Sequence, residues 1–96
     1  MPTTRLAAIM FTDIVGYTAM MQRNQAEAMA AVKGYEAVLK ARIQAHGGEP
    51  LQTYGDGSLS VFDSASAAVL CAKEIQEEIR GQVPLRIGIH LGEITI

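Results

Sequence analysis

Leu6 to Phe11 form a nearly unbroken apolar run, the pattern of a central strand covered on both faces rather than of an edge strand with one wet side. Polar and small residues follow, and Gly16 lets a short helix begin near Tyr17. From Asn24 the period changes. Ala28, Met29, Val32, Tyr35, Leu39 and Ile43 recur at helical spacing, Asn24 with Glu27 three positions on has the form of a capping box, and Gly47-Gly48 supplies a stop. Leu51 to Tyr54 and Leu59 to Phe62 are short strand candidates. Between them stands Gly55-Asp56-Gly57-Ser58, and an Asp-Gly pair between apolar runs is a strong hairpin signal. A further helix starts near Asp63 or Ser64 with Ala68, Ala72, Ile75 and Ile79 on its inner stripe. Gly81 and Pro84 end it, and Leu85 to Leu91 reads as the last strand.

The order is strand, helical region, strand, tight turn, strand, helix, strand. This is the ferredoxin-like split unit, a βαββαβ arrangement of the α+β class with helices packed on one face of an antiparallel sheet. In that topology the first strand runs up the middle of the sheet, the helical connection returns to the bottom, and the second strand runs up again before turning over. The end of the first strand and the hairpin turn therefore meet at one rim. Asp13 lies at the former and Asp56 in the latter, so connectivity alone predicts that these two carboxylates converge.

Two carboxylates about 4 Å apart repel by about 4 kcal/mol at an effective dielectric near 20. A proton or a cation relieves that cost. Mg²⁺ prefers oxygen ligands, keeps several waters and takes one or two carboxylates plus substrate phosphates, which fits two Asp with no His or Cys cluster nearby; Mn²⁺ fits as well. Gly16 allows the backbone to turn closely just after Asp13 and to present amide groups at the start of the short helix, an arrangement suited to phosphate. Two cations on a triphosphate point to in-line displacement at phosphorus.

Composition narrows the possibilities. At 96 residues, with 49% hydrophobic and 19% charged, the chain is sized for one small globular domain. A formal net charge of −2 offers no general attraction for nucleic acid. The single cysteine, Cys71, falls on a helical apolar face and suits a reducing compartment, so the cytoplasm is the expected location. The apolar run before Asp13 is too short for a membrane span and lacks a cleavage signature, so no targeting or membrane segment is expected.

Taken together, Phe11-Thr12-Asp13-Ile14-Val15-Gly16-Tyr17-Thr18, Gln52-Thr53-Tyr54-Gly55-Asp56-Gly57 and Arg86-Ile87-Gly88-Ile89-His90-Leu91-Gly92-Glu93 resemble the class III adenylate/guanylate cyclase catalytic domain. The resemblance runs over nearly the whole chain in the family's order, and implies a partial catalytic domain over residues 1–96. It implies that Asp13 and Asp56 bind two metal ions, Mg²⁺ or Mn²⁺, that the Ile14 carbonyl adds a ligand, and that Val15, Gly16, Tyr17 and Thr18 face the triphosphate. The implied substrate is ATP or GTP, whose 3′-hydroxyl attacks the α-phosphate to release pyrophosphate and a 3′,5′-cyclic nucleotide. The implied assembly is a homodimer, with metals held by one subunit and the purine read by the other.

Gln52 stands where relatives using ATP often carry Lys and those using GTP carry Glu. An amide can donate or accept by flipping, so the base remains open between adenine and guanine, with ATP placed first. The family's later segment, which supplies a second purine-reading residue and the asparagine and arginine that steady the ribose and the transition state, has no counterpart in these 96 residues. By that resemblance the chain alone turns over little or nothing, since arginine-type stabilisation in phosphoryl transfer is worth roughly a thousandfold or more.

Plainer readings exist for each residue singly. Asp13 could cap the following short helix, and Asp56 could serve only its turn. Two rival functions carry the same motifs: a nucleotide-binding or dimerisation module without turnover, and another two-metal phosphoryl-transfer enzyme on a similar split sheet, such as a polymerase palm or a diguanylate cyclase.

Overall fold

The computed structural model describes residues 3–53 and 56–95. Seven elements follow in order: β1 (Thr4–Ile14), α1 (Tyr17–Arg23), α2 (Gln25–Ala45), β2 (Glu49–Thr53), β3 (Gly57–Phe62), α3 (Ala65–Ile79) and β4 (Leu85–Thr95). The sheet order is β2-β3-β1-β4 with every adjacent pair antiparallel, which is the expected split βαββαβ unit. Since β1 and β2 both run antiparallel to β3, they share a direction and end at the same rim.

Helix boundaries follow local chemistry. The Asn24 side chain accepts a hydrogen bond from the Glu27 amide at 3.0 Å and its own backbone is extended, so α1 stops and α2 starts there. Ser64 does the same for α3, accepting from the Ala67 amide at 3.1 Å. The turn after α2 passes so close to β3 that a Cβ on Gly48 would lie 2.5 Å from the Phe62 ring and 2.9 Å from Ile43, a space only glycine fits.

Both long helices pack on one face of the sheet. Ala8, Met10 and Ile14 of β1 and Phe62 of β3 meet Tyr35, Leu39 and Ile43 of α2 and Ala68, Cys71, Ile75 and Ile79 of α3. Two members of the expected stripes shift: Met29 is half exposed, and Cys71 takes the fully buried place beside the partly buried Ala72. Helical spacing fixes a stripe's direction but not its width, which the neighbouring helix decides.

The opposite face departs from expectation. β1 is central, yet only one of its faces lies under helices. Phe11 is 48% exposed on the other, in a cross-strand row with Leu59 and Gly88. Ala7 and Val61, which the register places on that face, are nonetheless buried. An apolar run reports that both faces avoid water without saying what covers the second.

Candidate active site

The rim where β1 ends carries the chemistry. Asp13 is the last β1 residue paired with β3, directly opposite Gly57, and the next amide, on Ile14, donates to the Asp56 carbonyl at 2.7 Å. The sheet thus brings the two aspartates to one edge, as connectivity predicts. Both carboxylates also act on the buried Tyr35 hydroxyl, whose pKa is raised chiefly by burial and further by the negative charge of Asp13 and Asp56. Asp13 does not cap α1: the N-cap is Gly16, at φ 73°, and no side chain bonds the first turn. That plain reading of Asp13 is removed. Tyr54 and Gly55 of the expected hairpin, and Ile96 beyond β4, lie outside the described residues.

Asp13 has a cationic neighbour that sequence spacing does not reveal. Arg86 stands opposite it on β4, and its guanidinium donates to Asp13 Oδ2 at 2.7 Å. Both side chains are substantially exposed, so the pair adds little stability. It does show a carboxylate open to positive charge. Among the described residues no group of three or more His, Cys, Asp or Glu gathers. Two aspartates by themselves offer only oxygen ligands, the kind a hard cation takes together with water and phosphate oxygens.

The phosphate-facing segment is partly committed elsewhere. The Val15 amide donates to the Pro84 carbonyl at 2.9 Å, which ties the rim to the start of β4 and takes this N–H from the set expected to meet a triphosphate. Gly16 and Thr18 are exposed, whereas Tyr17 packs against the core and anchors α1. Gln52, on β2, is exposed and pairs with Leu59, which also pairs with Phe11; the register therefore sets Gln52 on the open face with Asp13. A bulge between Pro50 and Gln52 shifts the β2 register and gives Gln52 that direction.

Other titratable groups serve structure. His46 pairs with Glu74 at 3.0 Å, and Arg42 reaches Glu74 and Glu78, so this cluster ties α2 to α3. Glu74 has its pKa lowered, first by the His46 hydrogen bond. Cys71 is fully buried with its thiol pushed up to about 11 by desolvation, the signature of an inert core thiol. A groove of about 810 Å³ opens between α2 and the β2–β3 pair, but it is lined by Ser58 and Ser60 on the helix-covered face, away from Asp13. No described helix is long and apolar enough to cross a membrane.

These features define a split-sheet domain with two acidic residues at one rim of an open face. Known proteins agree with that class. The profile of the adenylate and guanylate cyclase catalytic domain matches residues 1–96. The chain is 34% identical to the adenylate/guanylate cyclase/hydrolase of Silicibacter pomeroyi, with a TM-score of 0.85 over 100% of this chain and 62% of that one. It superimposes on a bacterial light-regulated adenylyl cyclase with a TM-score of 0.87 at 21% identity, over 95% of this chain and 55% of that one. An adenylate cyclase of Streptomyces coelicolor is 30% identical over 95 residues, covering 95% of this chain. The chain spans 25% of that protein's length, and 17% of a Rhizobium meliloti relative that is 32% identical over 102 residues. The chain belongs to the adenylate and guanylate cyclase catalytic domain family.

Proposed function

We propose that this chain is the metal-holding, phosphate-facing part of a class III purine nucleotide cyclase domain. It acts on ATP, with GTP as the alternative, and the observation that carries this reading is the convergence of Asp13 and Asp56 at one rim beside an open sheet face. ATP comes first because relatives at 30% identity and above include a protein named adenylate cyclase.

Asp13 and Asp56, with the Ile14 carbonyl, would hold two divalent cations, Mg²⁺ or Mn²⁺. Such ions, when bound, lower the pKa of the attacking hydroxyl and neutralise charge on the leaving pyrophosphate. The exposed backbone at Gly16 to Thr18 faces the phosphates, and Gln52 meets the purine edge. The 3′-oxygen forms its bond to the α-phosphorus while the bond from that phosphorus to the bridging oxygen breaks. Pyrophosphate departs with those electrons and the hydroxyl proton passes to solvent. The open face carrying Phe11 suits a second copy of the chain, which supports a homodimer. Nucleoside triphosphates and an unpaired thiol are both at home in the cytoplasm. By itself the 96-residue chain is expected to bind cations with little turnover.

Asp13→Asn and Asp56→Asn, each placed in the complete catalytic domain to which we assign this chain, test the reading. Cyclic nucleotide production should fall on the order of a hundredfold or more with the thermal midpoint nearly unchanged. Near-normal production by either variant would overturn the metal-holding roles of the two aspartates. The Arg86–Asp13 ion pair favours one second reading, a nucleotide-binding module without turnover, because Arg86 competes with a catalytic cation for the Asp13 carboxylate. Binding of ATP and Mg²⁺ by the complete domain, without cyclic product, would select it.

A further inference from the structure

Directly behind the two aspartates, on the helix-covered face, three hydroxyls meet. Thr12 precedes Asp13 on β1, Ser58 lies two residues after Asp56 on β3, and the two are cross-strand partners. Tyr35 reaches them from α2. Thr12 Oγ1 is hydrogen-bonded to the Tyr35 hydroxyl at 2.5 Å and to Ser58 Oγ at 2.5 Å. All three residues are buried, Tyr35 to 1% exposure, Thr12 to 3% and Ser58 to 6%.

The burial makes the chemistry specific. A phenylalanine would fill the same core volume, so the Tyr35 hydroxyl is not needed for packing, and its desolvation is offset only by the bond it makes. Asp13 opposite Gly57 is the final pair of the β1–β3 ladder, and ladder ends open most easily unless something ties them. In a strand, successive side chains leave on opposite faces, so fixing Thr12 fixes the direction in which Asp13 departs. On the other side Ser58 anchors the start of β3, and the Asp56 carbonyl just before it is held by the Ile14 amide at 2.7 Å. Both carboxylates lie near enough to raise the Tyr35 pKa by their charge, so the cluster and the acidic pair are neighbours through the thickness of the sheet.

We propose that Tyr35 is a positioning residue for the acidic pair: through Thr12 and Ser58 its hydroxyl clamps β1 to β3 beneath Asp13 and Asp56, and so sets the spacing at which they take up a divalent cation. This rests on the reading of Asp13 and Asp56 as cation ligands. Tyr35 touches neither cation nor nucleotide; it acts through the two strands.

The test is Mn²⁺ titration of the 96-residue chain, followed by the loss of free-ion electron paramagnetic resonance signal, with a thermal midpoint recorded for each variant. Tyr35→Phe and Thr12→Val should each weaken Mn²⁺ binding about tenfold in a folded chain, and Thr12→Ser, which keeps the hydroxyl, should restore it. A merely structural role would lower the midpoint and leave the affinity alone. Should Tyr35→Phe fail to fold, the contrast between Thr12→Val and Thr12→Ser decides the matter. Wild-type affinity in Tyr35→Phe, beside weakened binding in Asp13→Asn, overturns the positioning role and leaves the cation site standing. Wild-type affinity in Asp13→Asn overturns the cation site itself, and the clamp with it.

Discussion

Ala8, Met10, Thr12 and Ile14 of β1 are all buried under α2 and α3, while Phe11 and Asp13, one step out of phase on the same strand, stand on a face that no described helix covers. The first set meets a closed apolar layer with three buried polar exceptions: Thr12 and Ser58 are bonded to each other and, through Thr12, to Tyr35, while the Ser60 hydroxyl has no partner among the described residues. The second set meets solvent and Arg86, and shares its face with the exposed Gln52 of β2. From Ala8 to Ile14 the strand thus builds the fold with its even positions and presents Phe11 and Asp13 with its odd ones. Its period of two is what allows a site to be assembled without disturbing the core.

Substitution can break this contrast. Phe62→Ala on the covered face should cost about 3–5 kcal/mol, enough to unfold much of so small a domain, as urea denaturation would read out. Phe11→Ala on the open face should cost the isolated chain less than about 1 kcal/mol, because the ring is already half in water. An equal loss for both would mean that the open face is covered in solution. In the complete domain Phe11→Ala should instead weaken self-association, measurable by analytical ultracentrifugation.

Smaller effects sharpen the same contrast by touching only the helical layer. Asn24→Ala removes the cap between α1 and α2 and should cost about 1 kcal/mol, with no change in cation binding at the rim. The cluster joining α2 to α3 should give a modest acid dependence. Glu74 has a lowered pKa in the fold, so its contribution is present above the ordinary glutamate value near about 4.3 and is lost as pH falls through the lowered value. Thermal midpoints recorded from about pH 6 down to about pH 3 should therefore fall more steeply for the wild type than for Glu74→Gln.

Much of this contrast is legible in the sequence, and the rest fails for definable reasons. Element order, the cap at Asn24, the start of α3 near Asp63 or Ser64 and the convergence of Asp13 with Asp56 follow from periodicity, local capping chemistry and strand connectivity, all of them local signals or consequences of topology. The open second face of β1 was not legible, since Leu6 to Phe11 is apolar whether helices or another chain cover it. Arg86 beside Asp13, and Tyr35 beside Thr12 and Ser58, depend on register between distant segments. The loss of the Val15 amide to Pro84 depends on how the α3–β4 connection closes. Tyr35 in particular reads in sequence as one more member of an apolar stripe, and only its hydroxyl's partners separate it from Leu39 and Ile43.

The most direct test of a shared cation site is paramagnetic broadening by Mn²⁺ in the amide spectrum of the chain. At substoichiometric Mn²⁺ the amides of Asp13, Ile14, Asp56 and Gly57 should broaden together and first, while those of α3 stay sharp. Broadening of one aspartate's neighbours without the other's, or a spread of broadening over the acidic surface of α3, would contradict the joint role of Asp13 and Asp56.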